Sequence, residues 1–167
     1  MEISFTKHAV IFCVTVVVME GVAWLMHRYL MHGPLWFIHR SHHEPRKGWF
    51  ELNDTFGLFF TAASMVLIYH GLRGHPQLLG IGLGLVGYGV IYFFLHDVLV
   101  HRRIRLPFTP KHGYLRRVYQ AHHLHHATHE RDNAVSFGFA YVEPVEQVKA
   151  RFATAQEQSG SEAGDAR

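Results

Sequence analysis

Residues 78–101 read LLGIGLGLVGYGVIYFFLHDVLVH. From Leu78 to Leu95 there is no Lys, Arg, Asp or Glu. A helix that crosses a bilayer needs about 20 mainly apolar residues, with a range of roughly 17–25, and this run meets that length. Gly80, Gly82, Gly84, Gly87 and Gly89 fall inside it. Each would weaken a soluble helix by up to about 1 kcal/mol. In a membrane helix, small residues let a neighbouring helix approach closely. The stretch therefore predicts a membrane span rather than the buried helix of a soluble bundle. It ends on a histidine pair, His96 and His101 in HDVLVH, with Asp97 between them.

Working outward, the same grammar recurs upstream. Ala9–Met26 is a second apolar run, interrupted by a single acid, Glu20, and followed by HRYLMH with His27 and His32. It lacks the basic start and small-residue cleavage site of a signal peptide, so it reads as a mature helix. A further run spans Thr55 to about Leu72. The GLRGHP link, Gly71–Pro76, has the Gly and Pro content of a tight turn. Arg28, Arg40, Arg46 and Lys47 lie between His27 and Asp54, ten more Lys and Arg follow His101, and only Lys7 and Arg73 fall on the other side. Positive-inside logic then places the histidine-bearing segments in the cytoplasm and the N-terminus outside, in an inner membrane. The sequence also has room for a fourth helix, shallow or re-entrant, between Pro107 and Tyr119, where Lys111, Arg116 and Arg117 favour the interface over a span. The expectation is an all-α, multi-pass membrane helix bundle of three to four spans. One domain occupies 1–153, and a disordered tail, poor in apolar residues, occupies 154–167. The single cysteine, Cys13, excludes an intrachain disulfide and a cysteine metal site, and reads as a small core residue. A formal charge of +3 with no recognition motif gives no case for nucleic acid.

Sixteen histidines are the other anomaly. Ten fall into a repeated pattern, an HxxxxH pair and then an HxxHH triplet: His27 and His32, then His39, His42 and His43; His96 and His101, then His122, His125 and His126. The topology drawn from apolar runs and charge alone gathers all four clusters at one membrane face. In HxxHH, positions i, i+3 and i+4 lie within about 100° on a helix, so three imidazoles point one way. An i, i+5 pair is about 140° apart on a regular helix, so it either converges on one metal where the helix end loosens, tightens or carries a π-bulge, or sends its two members to different metals; irregular backbone is expected at His27–His32 and His96–His101. Ten ligands exceed the four of a closed structural zinc site. They suit two metals with about five nitrogens each. Imidazole accepts Fe, Zn, Cu or Ni and does not choose among them. His8, His70, His75, His112, His123 and His129 fall outside the pattern, with His123 and His129 the nearest exceptions.

Neutral ligands leave the metal charge uncompensated, so carboxylates are expected behind the imidazoles. Asp97 and Glu44 are the candidates by position, while Asp54 is read as the cap of the second span. Glu20, an acid within a span, marks a functional position, bonded either to a neighbouring helix or near the metals. Trp36, Phe37, Trp49, Phe50, Phe59, Phe60, Tyr92, Phe93 and Phe94 line a lipid-side tunnel or serve as ordinary membrane packing.

These boxes, in this order around membrane spans, resemble the fatty acid hydroxylase and sterol desaturase superfamily. HRSHHEPRKGWFELND (39–54), HDVLVH (96–101), KHGYLRRVYQAHHLHHA (111–127) and SFGF (136–139) are similar to its bacterial β-carotene hydroxylase branch, with Val98 where that branch has glycine. The resemblance covers Glu20 to about Tyr141. It implies a non-haem two-iron, O2-dependent monooxygenase acting at C3 of the β-ionone ring, converting β-carotene to β-cryptoxanthin and zeaxanthin. Electrons would come from reduced ferredoxin and ultimately NAD(P)H, and zinc would be able to replace iron in a purified sample. Arg102, Arg103, Arg105, Arg116 and Arg117 form a basic patch for an acidic donor or for lipid headgroups. Alternatives are a sterol or fatty acyl hydroxylase or desaturase, a histidine-rich metal transporter, and a bis-histidine haem protein. A transporter would place its ligands at mid-membrane, and a haem protein would need facing pairs rather than clusters.

Overall fold

The computed structural model describes residues 5–45, 48–128 and 130–165, all helix, turn or irregular chain with no strand among them. Arg46, Lys47, His129 and Arg167 lie outside the described residues. Helix α1, Phe5–Leu25, runs without a break into a π-helical segment, Met26–Met31. A short helix, α2, covers Trp36–His43. Helix α3 spans Asp54–Leu72, and α4, Pro76–Tyr92, continues as a second π-helical segment, Phe93–Val100. Helices α5, Gly113–His125, and α6, Val145–Asp165, complete the order.

Three helical stretches are long and apolar enough to cross a membrane: Phe5–Met31, Asp54–Leu72 and Pro76–Val100. Their apolar side chains face outward, with Val17 74%, Met65 66% and Phe59 65% exposed, which suits solvation by lipid rather than by water. Cys13, expected in the core, sits on this outward surface. Helix α4 lies between the other two. A Cβ added at Gly84 would stand 2.5 Å from Thr15 of α1, and one at Gly82 would stand 2.8 Å from Ile68 of α3. Glycine there permits the backbone contact that holds the three spans together. The α3–α4 turn is made by Arg73–His75, with Gly74 at φ +111°, a conformation that glycine adopts without strain.

Proline opens α4 at its first turn, where its missing N–H leaves no bond unmade. The spans run up, down and up, so the C-terminal ends of the first and third meet the start of the second at Asp54. Beyond that end lies a small core of Val100, Val118, Ala121, Val135, Val142 and Val148. It seats α5 against α6 beneath the histidine cluster. A helix does form in the region between Pro107 and Tyr119 as α5, but it begins at Gly113 and extends past Tyr119 to carry His122 and His125 of the last histidine triplet. Thirteen residues do not span a bilayer, so three crossings are the count among the described residues. The stretch from Thr154, where composition predicts disorder, continues α6 as far as Asp165. Its Ala, Gln and Glu residues are good helix formers even without an apolar stripe.

Candidate metal centre

The two HxxxxH pairs lie where the helices change pitch. His32 N–H donates to His27 O at 3.0 Å, and His101 N–H donates to His96 O at 2.9 Å. These i→i+5 bonds wind residue i+5 back over residue i, which a regular α-helix would have left about 140° away. The spacing and the π-helical backbone are one device: each pair is aimed inward as a span ends. Helix α2 presents His39, His42 and His43 from one face, and α5 presents His122 and His125, with His126 capping it.

Burial follows. His27, His39 and His125 are among the most buried side chains of the molecule, at 1% exposure or less. The candidate ligand atoms of His27, His32, His39, His43 and His125 all lie within 4.8 Å of one another, and so do those of His42, His101, His122 and His126. His96 joins the second group through His42, their Nε2 atoms 3.0 Å apart. All ten patterned histidines thus converge in two adjacent groups of five. His8 bonds the Pro76 carbonyl instead, and His123 packs on Tyr119.

The other ring nitrogen shows what the converging atoms are. Nδ1–H donates to a carbonyl from His27 (Phe137 O, 3.0 Å), His32 (Arg131 O, 2.8 Å), His43 (Thr128 O, 3.1 Å) and His125 (Val135 O, 3.0 Å). His39 donates to Asn53 Oδ1 at 2.7 Å, His42 to Glu51 Oε2 at 2.8 Å and His96 to Asp97 Oδ1 at 3.0 Å. A neutral imidazole with its proton on Nδ1 has a bare lone pair on Nε2. Those lone pairs face each other: His27 and His39 at 3.2 Å, His32 and His125 at 3.2 Å, His42 and His96 at 3.0 Å. Protonation to relieve the repulsion is opposed by burial. Burial pushes His39 down to about 3 against the hydrogen bond to Asn53, and holds His42, His122 and His125 well below the usual histidine range.

A shared cation would resolve the arrangement, and both groups could hold one. With about 2.1 Å to each nitrogen, two nitrogens 3.0 Å apart subtend about 90° at a metal, whereas a tetrahedral pair would stand about 3.4 Å apart. Five candidate nitrogens gathered in the first group also exceed the four ligands of structural zinc. The Nδ1 contacts are the outer hydrogen bonds that fix tautomer and ring orientation in histidine metal sites.

The two groups differ in what stands behind them. The known Nδ1 partners of the five-histidine group are neutral oxygens, from the 128–137 backbone and Asn53. Behind His42 and His96 stand Glu51 and Asp97, joined by Asp54 through Arg103. Arg103 bonds Asp54 at 2.5 Å and reaches Asp97 at 3.4 Å and Glu51 at 3.7 Å. Three carboxylates against one guanidinium leave two negative charges beside the second group. Asp97 thus occupies its expected place. Glu44 does not: it pairs with Arg40 at 2.7 Å on the surface, because the chain turns extended after His43 and carries it away. Asp54 is the first residue of α3, not its cap, and binds Arg103 and the Glu51 N–H. Arg103, with its side chain 13% exposed, is turned into the site and leaves the basic surface patch.

Sequence reasoning missed the roles of Asn53, Glu51 and Arg103 and the carbonyls of Thr128, Arg131, Val135 and Phe137. Among the aromatic residues, Trp36 packs on His32 and His43, and Tyr92 stacks on His96 with ring centres 4.5 Å apart. Phe37, Trp49, Phe50, Phe59, Phe93 and Phe94 face outward. Phe137 and Phe139, from the SFGF segment, pack directly on His27.

The family model for fatty acid hydroxylases matches residues 12–143. A β-carotene hydroxylase of Pantoea ananas is 48% identical over 96% of this chain and 90% of its own length. Another, from Paracoccus sp. strain N81106, is 51% identical over 81% of this chain and 84% of its own. β-Carotene 3-hydroxylase 2 of Arabidopsis thaliana chloroplasts is 41% identical over 78% of this chain and 44% of its own. No solved structure matches. With the matched region running from the first span through the last histidine box and the strap that follows it, the chain belongs to the fatty acid hydroxylase family.

Proposed function

We propose that this protein hydroxylates the β-ionone ring of carotenoids at C3, taking β-carotene to β-cryptoxanthin and then zeaxanthin, with two irons held by the ten histidines. The observation that carries the reading is the pairing of bare Nε2 atoms at 3.0–3.2 Å in front of fixed Nδ1 donors, in two adjacent groups. The substrate class rests on the relatives' names.

The net reaction is R–H + O2 + 2e− + 2H+ → R–OH + H2O. Bound iron would supply the activation of O2 that an unactivated C–H bond requires, and zinc in its place would be inert in this role. The chain's own part is positional. Its helices hold the imidazoles in place, Asn53, Glu51, Asp97 and backbone carbonyls fix their tautomers, and the aromatic packing of Trp36, Tyr92, Phe137 and Phe139 excludes water from the rings. Glu51, Asp54 and Asp97 offset the positive charge that two metal ions bring.

An apolar polyene dissolved in the bilayer meets a site at the ends of the spans without leaving lipid. The distribution of Lys and Arg supports a cytoplasmic position for that end, in an inner membrane. A reduced ferredoxin, charged by NAD(P)H, is the proposed electron source, and Arg102, Arg105, Arg116 and Arg117 supply the basic surface for it.

The test is expression in a bacterium that accumulates β-carotene, with pigment analysis. Conversion to β-cryptoxanthin and zeaxanthin is expected. Unchanged pigment in cells that contain the iron-loaded protein would overturn the assignment.

A further inference from the structure

Glu20 sits in α1, inside the first span, where a carboxylate is costly and persists only for a return. Both of its oxygens are engaged. Oε1 accepts three consecutive backbone N–H groups, from Phe139 at 2.9 Å, Ala140 at 3.0 Å and Tyr141 at 2.8 Å. Oε2 accepts the Tyr88 hydroxyl of α4 at 2.8 Å. One side chain thus ties two spans to the segment that follows the last histidine box.

That segment is an irregular strap, with no ladder of its own to hold it. Its carbonyls alternate onto ligands: Val135 O accepts from His125 Nδ1, and Phe137 O from His27 Nδ1, each at 3.0 Å. Phe139 then lays its ring flat on His27, with centres 5.0 Å apart and planes 13° apart. Gly138 fits only without a side chain, since a Cβ there would strike the Tyr141 carbonyl and come to 3.3 Å from Glu20 Oε1. Ser136 holds a left-handed backbone at φ +61°, a conformation that needs surrounding structure to maintain it. Glu20 and His27 are seven residues apart, two turns along one face of the same helix. The first span, Phe5–Met31, therefore supplies a candidate ligand and also the anchor for the carbonyl that orients it.

We propose that Glu20 is a positioning residue for one of the two metal positions: by anchoring the 135–141 strap it sets the orientation of His27 and His125, which both belong to the five-histidine group. The inference rests on the two-metal reading above. It predicts an asymmetric defect, because the strap bonds ligands of that group and the Glu51–Asp97–Arg103 cluster stands behind the other.

The experiment uses full-length protein purified in detergent and loaded with 57Fe. Glu20→Ala is compared with wild type, Glu20→Gln, Gly138→Ala, His27→Ala and His42→Ala. Three properties are read: iron per chain, the Mössbauer spectrum, and amide exchange of 139–141. In Glu20→Ala those amides exchange faster, iron falls from about two per chain toward one, and the lost signal is the one lost in His27→Ala. Affinity at that position drops about 10–100-fold, the range for removing outer hydrogen bonds. Gly138→Ala disturbs the strap while every residue of α1 keeps its identity, Glu20 included, and reproduces the defect. Glu20→Gln keeps a carbonyl oxygen for the three N–H groups, so exchange stays slow and both irons remain.

Unchanged exchange in Glu20→Ala overturns the anchor itself. Loosened amides with both irons kept, both lost in parallel, or the His42→Ala signal lost instead, overturn the positioning role. So does loss of iron from Glu20→Gln while its amides stay protected. Wild type with fewer than two irons would instead sink the two-metal reading, and the exchange comparison would still decide whether Glu20 holds the strap.

Discussion

Glu51 offers the sharpest contrast between position in sequence and position in space. Its Oε2 accepts from His42 Nδ1 at 2.8 Å, with the two side chains 9% and 2% exposed. Glu44 follows HRSHH directly, yet it lies 45% exposed against Arg40. Substituting Glu51→Gln keeps the volume and an oxygen for the Nδ1–H, so the ring stays in place and only the charge is lost. We expect metal affinity at the His42 position to fall about 10-fold, equivalent to about 1.4 kcal/mol. Glu51→Ala removes the oxygen too and leaves a buried N–H without its partner. That variant should approach the upper end of the range, about 100-fold or about 2.7 kcal/mol. The assay is chelator competition on the purified, iron-loaded protein, followed by the iron remaining per chain. Glu44→Gln, in the same assay, should match wild type. Equal weakening by Glu44→Gln and Glu51→Gln, or none by Glu51→Ala, would refute the reasoning that buried hydrogen bonding behind the ligand tunes the metal.

Further outcomes follow from the same geometry. His42→Ala should abolish hydroxylation and lower bound iron, whereas His75→Ala, at the exposed α3–α4 turn, should leave pigment conversion at wild-type level; both are read by pigment analysis and elemental iron. Gly84→Leu drives a side chain into Thr15 and should cost about 1–3 kcal/mol, seen as a lowered melting temperature in detergent, while Gly89→Ala meets open space and should not lower it. The metal-free protein should lose stability as pH falls. His39, pushed down to about 3 by burial, stays neutral when folded but takes up a proton when unfolded below its ordinary value near 6.5. The stability it contributes is complete above that value and lost as pH falls through the window from about 6.5 to about 3. At pH 5 the loss is about 2 kcal/mol from this one ring, measurable by denaturant unfolding at a series of pH values.

The spans were legible because a charge-free run of bilayer length has few other uses, and the glycines of α4 signalled close packing before any neighbour was known. The irregular backbone was legible for a related reason: an i, i+5 ligand pair converges on one metal only from distorted helix, and Met26–Met31 and Phe93–Val100 take the π-helical form of that distortion. Backbone partners were not legible. Phe137 O, Arg131 O, Thr128 O and Val135 O act through carbonyls that every residue possesses, so no residue type marks them. Glu44 adjoins the triplet in sequence but not in space, because the extended backbone after α2 carries it to the surface while Glu51 returns to His42. Arg103 read as surface charge because a basic residue beside a membrane usually is; the left-handed turn at Arg102, φ 52°, aims its neighbour inward. Glu20 was visible as an anomaly, but its partners are main-chain N–H groups about 120 residues away.

The central claim is that the ten patterned histidines hold two metals, and metal counting tests it most directly. Protein purified in detergent after anaerobic iron loading, with iron and chain concentration both measured, should hold about two irons per chain, with neither retained after all five histidines of its group are replaced. One iron per chain in the intact protein, or two irons that survive replacement of either group in full, would contradict it.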